Sequence, residues 1–157
     1  RRVHGVRVPK TMDIVIASSH PCDIEFWQAH KTLYAAQRCV CEGGTIIVVT
    51  PCTEGLSVTH PEIVDYAGRQ ADEIEAAIHS GEIEDLTAGA LALAWASVRR
   101  HADIAIVSDG ISDEVARSVG FHPHASLQKA LDIALVRHGR GATVSVLPYA
   151  PETLPLR

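Results

Sequence analysis

Three runs of the chain are apolar without alternation: Asp13-Ile14-Val15-Ile16-Ala17, Thr45-Ile46-Ile47-Val48-Val49 and Asp103-Ile104-Ala105-Ile106-Val107. Continuous β-branched stretches of this length predict strands covered on both faces, as in a parallel sheet. Thr143 to Leu147 predicts a further strand. Val3 to Val8 alternates apolar and polar positions before Pro9 removes a backbone donor, which predicts a short strand at a sheet edge. Between these runs apolar positions recur at spacings of three and four. Ile24 to Cys41 predicts a helix capped by Asp23, with Phe26, Ala29, Leu33, Ala36 and Val40 on its inner face and Gly43-Gly44 as its stop. Glu62 to His79 reads as helix broken at Gly68, and Thr87 to His101, nearly all Ala and Leu, as a helix buried on most of its circumference. Ser112 caps a short helix ending at Gly120. Ser126 to His138 predicts the last helix, with Leu127, Ala130, Leu131, Ala134 and Leu135 inward. The tail from Pro148 is expected to be extended and peripheral.

Strands alternating with helices at these lengths predict an α/β fold: a three-layer sandwich with a mostly parallel sheet, Rossmann-like in type. With 157 residues the chain has room for a single domain, residues 1–157. Ligands of such sheets lie past the carboxyl ends of the strands, so the loops Ser18 to Asp23, Thr50 to His60 and Ser108 to Ser112 hold the interest. Hydrophobic residues at 46% against 21% charged exclude a disordered chain, and a formal net charge of -5 argues against a nucleic-acid partner. No apolar run approaches the roughly 20 residues that cross a bilayer, so no membrane partner is expected. Cys22, Cys39, Cys41 and Cys52 read as small hydrophobes in a reducing, cytoplasmic protein. The start at Arg1-Arg2-Val3, without Met, suggests a piece of a longer protein.

Four groups of residues carry candidate chemistry. Gln28 and Lys31 are three apart and share a helix face, with Trp27 one turn from Lys31. An ammonium, an amide and an indole at the mouth of a parallel sheet suit a small carboxylate or phosphate; a solvated helix face with a packed Trp is the competing account. His20, just past the first long strand, is the best placed of the histidines for acid or base work, ahead of His60, His122 and His124. The cysteines and histidines match no metal-ligand spacing, so no metal site is expected. Ser108-Asp109-Gly110-Ile111-Ser112 is a weak candidate for a phosphate cradle, because it lacks either Gly-rich nucleotide spacing.

Taken together, Asp13-Ile14-Val15-Ile16-Ala17-Ser18-Ser19-His20-Pro21, Phe26-Trp27-Gln28-Ala29-His30-Lys31 and Glu42-Gly43-Gly44-Thr45-Ile46-Ile47 resemble the C-terminal domain of the nickel-dependent lactate racemase family. The likeness is in order and in register over the first 50 residues or so, and looser beyond. It implies a longer two-domain enzyme that racemises or epimerises a small 2-hydroxy acid by hydride transfer with a nickel-pincer nucleotide. In that family the nickel ligand, the cofactor-attached lysine and the acid/base histidines belong to the N-terminal domain. The resemblance therefore implies no catalytic residue on this chain, no cofactor bound to it alone, and its own N-terminal domain as partner. It assigns Gln28 and Lys31 to the substrate carboxylate or cofactor phosphate, with Trp27 beside them and His20 a weaker addition. Trp27 stands where the family commonly has Tyr, and Leu86-Thr87-Ala88-Gly89 lacks the Trp of lactate racemases proper. Both departures point away from lactate toward a larger or different 2-hydroxy acid. A non-catalytic nucleotide- or phosphate-binding module, or an assembly module using the Ala-rich helix, is the alternative.

Overall fold

The three long apolar runs form the centre of a five-stranded, all-parallel sheet in a computed structural model that describes residues 3–156. In chain order the elements are β1 (Gly5–Arg7), β2 (Met12–Ser18), α1 (Phe26–Ala29), α2 (Lys31–Cys39), β3 (Val40–Val49), α3 (Ala71–Ser80), α4 (Leu86–His101), β4 (Asp103–Val107), α5 (Asp113–Ser118), β5 (His122–Pro123), α6 (Leu127–His138), β6 (Val144–Leu147) and β7 (Leu154–Leu156). Short 3-10 turns lie at Pro61–Asp65 and Ala150–Glu152. The sheet order is β5-β4-β3-β2-β6, with Ile14, Val15, Ile16 and Ala17 of β2 opposite Thr45, Ile46, Ile47 and Val48 of β3.

Strand residues alternate between two apolar layers, as the pleat requires. Val15, Ala17, Ile46, Val48, Ile104 and Ile106 face the larger layer with the helices α1 to α5, whereas Ile14, Ile16, Ile47 and Ala105 meet Ala130 and Ala134 of α6 on the other face. The three-layer α/β sandwich is therefore as expected. Phe26, Trp95 and Phe121 fill the larger layer as an aromatic trio, with centroids 5.2 to 5.8 Å apart. Among the described residues no helix is long and apolar enough to cross a membrane.

Several local expectations need correction. The first helix is two pieces, because the His30 Nδ1–H donates to the Trp27 carbonyl at 2.5 Å, the acceptor that an unbroken helix gives to the Lys31 N–H. Asp23 is no cap: it pairs with His20, and Glu25 immediately precedes α1. The helix ends at Cys39, before Gly43-Gly44, which lie inside β3. Between Met12↔Val40 and Ile14↔Thr45 the register of β3 gains residues over β2, a bulge that Gly43 turns at φ +74°. A Cβ on Gly44 there would sit 2.7 Å from the Asp13 carbonyl. The strand predicted at Val3 to Val8 is only Gly5–Arg7, and it pairs with β7 in a separate two-stranded sheet rather than at the main edge. The tail is accordingly fixed, with Ala150 buried and Leu154–Leu156 a strand. The two-residue β5, too short for any periodicity, adds a strand that the apolar pattern does not announce. Leu127, expected inward, is 37% exposed at the first residue of α6.

The loop after β4 is clamped, not open. Gly110 N–H and Ser108 Oγ both donate to the Pro51 carbonyl, at 2.9 and 3.0 Å, so this weak candidate for a phosphate cradle has spent these donors on the neighbouring loop. A Cβ on Gly110 would lie 1.8 Å from the Cys52 carbonyl oxygen, whereas one on Gly141 meets nothing within 4 Å. Gly110→Ala is thus expected to lower stability by about 2 kcal/mol or more, and Gly141→Ala to stay within about 0.5 kcal/mol of wild type. Urea denaturation of the two variants measures the contrast; equal midpoints would show that the two loops can part without cost.

Candidate functional site

Two loops leave the carboxyl ends of β2 and β3, and their backbones are stitched together. Cys52 N–H donates to Asp23 O and Glu54 N–H to Ile24 O, each at 2.9 Å, while Phe26 N–H and Trp27 N–H donate to Gly55 O and Leu56 O at 2.9 and 2.8 Å. Glu25 adds a side-chain acceptor for Val58 N–H at 2.8 Å. The exposed donors that begin any helix are thereby satisfied at α1, and the orientation of its first turn is fixed.

Trp27 and Gln28 in that turn and Lys31 at the start of α2 lie on one side, the shared face that the spacing of Gln28 and Lys31 predicts. Lys31 Nζ donates to Gln28 Oε1 at 2.6 Å, and both side chains are exposed beside a half-buried Trp27. An ammonium has three donors, so two remain for a ligand. The three residues line an open cleft of about 360 Å³ with His30, Tyr34 and, from α4, Thr87 and Ala90. Because α4 runs back toward the start of β4, its first turn lies on the carboxyl-end side of the sheet, opposite α1.

Behind Trp27 is a second set of contacts. The His60 ring stacks on the indole, with centroids 4.0 Å apart and planes 19° from parallel. His60 Nδ1 is hydrogen-bonded to Asp85 Oδ2. The other carboxylate oxygen of Asp85 accepts from Thr87 N–H at 2.9 Å and Ala88 N–H at 3.1 Å, which caps α4. The Ala88 N–H, and then His60, hold the Asp85 carboxyl down to about 2. One side chain therefore joins the start of α4 to the support of Trp27.

His30, to which the spacing assigns no role, also lines the cleft. Burial, followed by repulsion from Lys31, pushes its imidazole down to about 4 against the pull of its bond to Trp27 O. It is neutral at pH 7, with Nδ1 as donor, and the cleft keeps Lys31 as its cation. His60 and Asp85 lie 25 residues apart, so no spacing signal joins them; the only local hint was the loop before His60 and the Asp85-Leu86-Thr87 start of a helix. Glu62 completes a group whose ligand atoms with those of His60 and Asp85 all lie within 4.8 Å of one another.

The structure places His20 elsewhere. It stands where β2 ends beside β6, the point at which the strand order reverses, with Nδ1 3.2 Å from Asp23 Oδ2 and its ring 5.8 Å from that of Tyr149. It does not line the cleft of Trp27 and Lys31. His122 and His124 flank Pro123 at the far edge of the sheet. Cys39 and Cys41 fall in different elements, Cys39 and Cys52 are buried, and none of the four cysteines is disulfide-bonded.

The fold and cleft define a class: a three-layer α/β domain with an exposed cation and amide at the carboxyl ends of a parallel sheet. Residues 8–150 match the model of the lactate racemase C-terminal domain, and the chain belongs to that family. It is 26% identical over 140 residues to the lactate racemase of Lactiplantibacillus plantarum, an overlap of 87% of this chain and 33% of that protein. Among solved structures it is similar to the lactate racemase apoprotein from Thermoanaerobacterium thermosaccharolyticum, at a TM-score of 0.84 and 22% identity, over 99% of this chain and 38% of that one. A protein from Thermotoga maritima shares the fold at a TM-score of 0.69 and 15% identity, over 99% of this chain and 39% of that one. The chain thus spans 33% of the length of its curated relative.

The sign of the His30 shift sets a pH dependence. A histidine whose folded value lies below its ordinary 6.5 favours the folded state when neutral, so its contribution is complete above about pH 7 and is lost as pH falls from 6.5 toward 4. The loss attributable to His30 is on the order of 2 to 3 kcal/mol. Urea denaturation between pH 7.5 and pH 4 is expected to show a shallower decline in His30→Gln than in wild type; parallel curves would remove His30 as the cause.

Proposed function

We propose that this chain is the C-terminal domain of a cytoplasmic two-domain enzyme that racemises or epimerises a 2-hydroxy acid, and that its cleft binds the carboxylate of the substrate or a phosphate of the cofactor. The observation that carries the reading is the Lys31–Gln28 pair, side by side and exposed on a turn whose backbone is pinned from behind. Family membership and the 33% share of the relative's length support a separate N-terminal domain that closes over this cleft.

The donor set fits an anion. Lys31 contributes charge, Gln28 direction and Trp27 an apolar wall, and a carboxylate accepts from ammonium and amide together. The cleft residues offer nickel no clustered thiolate or imidazole ligands, so the nickel-pincer nucleotide would be held mainly by the N-terminal domain, with this chain contributing donors to its anionic groups. When bound, that cofactor supplies the hydride acceptor for the C2–H of the acid. The task of this chain is orientation: Lys31 and Gln28 fix the carboxylate, and Trp27 limits the rotation of what is attached to it. The acid/base groups would come from the other domain. Near the start of α4, where lactate racemases proper carry a Trp, this chain has Leu86-Thr87-Ala88-Gly89, and Thr87 lines the opposite wall of the cleft, which supports a larger or different 2-hydroxy acid.

In the full-length, cofactor-loaded enzyme, Lys31→Ala is expected to cut kcat/KM for a 2-hydroxy acid at least about a hundredfold, because a charge-assisted contact in a closed cleft is lost. Gln28→Ala should lose less, since a neutral amide contributes less than a charge. Steady-state kinetics with both enantiomers measures this. Near-normal turnover in a folded, loaded Lys31 variant would return the chain to a binding or assembly module.

A further inference from the structure

We propose that this chain carries a divalent transition-metal site formed by His60, Glu62 and Asp85, at the edge of an acidic cavity that Glu62 and Asp85 line. The sequence pattern predicts no metal site, because His60 and Glu62 lie just before and within the turn Pro61–Asp65, Asp85 caps α4, and no short motif contains all three. The fold brings one imidazole nitrogen and two carboxylate oxygens within 4.8 Å of one another. That is one ion's reach for a mixed nitrogen and oxygen set.

Charge and an orphaned hydroxyl point the same way. The adjoining cavity, about 450 Å³, is lined by five carboxylates, those of Glu62, Asp65, Glu82, Glu84 and Asp85. Arg69 is the one cation in that lining, and it is already bound to Glu82 at 2.7 Å. The surplus of negative charge has no counterion within the lining. Tyr66 lines the same cavity at 6% exposure, and its hydroxyl is buried with no hydrogen-bond partner among the described residues. A buried hydroxyl normally has a partner. Burial and the charges of Glu62 and Asp85 push Tyr66 up to about 12, so it stays a phenol and is suited to donate to a water on the ion. Asp85 is already oriented: its Oδ1 accepts from the Thr87 and Ala88 N–H groups, and its Oδ2 is hydrogen-bonded to His60 Nδ1, a bond that an ion between them would replace.

One imidazole and two carboxylates suit Zn²⁺ or Mn²⁺, with Zn²⁺ the tighter by the general order of divalent affinities. An ion there would tie the turn Pro61–Asp65 to the start of α4 and fix the His60 ring against Trp27, so a wall of the cleft would stiffen when metal binds. The inference does not depend on the racemase reading, since binding is measured on this chain without cofactor or substrate.

The test is calorimetric titration of the chelator-stripped chain with ZnCl2 and with MnCl2, paired with tryptophan emission. Trp27→Phe assigns the emission change to Trp27 rather than to the buried Trp95. The expected result is one ion per chain, Zn²⁺ tighter than Mn²⁺, and an emission change that saturates with the heat. Glu62→Gln, on an exposed side chain, should weaken binding at least about tenfold without altering the unfolding of the metal-free chain, and His60→Gln should weaken it further. Tyr66→Phe should weaken it by a smaller factor. Absence of saturable binding up to about 1 mM, or binding that Glu62→Gln leaves unchanged, as capture by the cysteines would be, overturns the proposal.

Discussion

The pinning of residues 23–27 to residues 52–56 is the constraint on which the rest of this surface depends. Four backbone hydrogen bonds join the loop after β2 to the loop after β3, and each lies at or beyond the carboxyl ends of the strands. Loops in that position are usually the mobile part of an α/β domain. Here they act as one body, further held by Gly110 against Pro51 and Cys52. A short helix of four residues such as α1 has little stability of its own, so its direction is decided by these bonds and by Phe26 buried between Trp95 and Phe121. Trp27, Gln28 and Lys31 inherit that direction.

The cleft has a rigid floor and solvent above it. Behind Trp27 lie His60, Asp85 and the first turn of α4; in front of it are exposed polar groups. An arrangement that is firm behind and open in front is what a second domain can close on with little rearrangement. The chain spans 33% of the length of its curated relative.

Electrostatics divide this end of the molecule into two neighbouring regions of opposite sign. On the cleft side of Trp27 the neutral state of His30 leaves Lys31 as the local charge, a setting for an anion. On the His60 side the carboxylates of Glu62 and Asp85 dominate. The His60–Trp27 stack is the partition, the ring contact at which the two regions meet.

What the sequence determined by itself was whatever local pattern controls. Continuous β-branched runs placed β2, β3 and β4 because burial on both faces removes polar alternation. Ser112 and Ser126 marked helix starts because a hydroxyl is needed there, and both accept the expected N–H bond. The shared face of Gln28 and Lys31 followed from helical spacing. Only the tertiary structure decided the rest. Gly43-Gly44 looked like a helix stop but form a strand bulge, since the same conformational freedom serves both and the partner strand selects between them. His20 was placed by the strand it follows, yet its neighbour is Tyr149, 129 positions away, whereas His60 meets Trp27 and Asp85 across 33 and 25 positions. Contacts of that range leave no periodicity in the chain; they exist because a parallel sheet gathers the carboxyl ends of distant strands into one place.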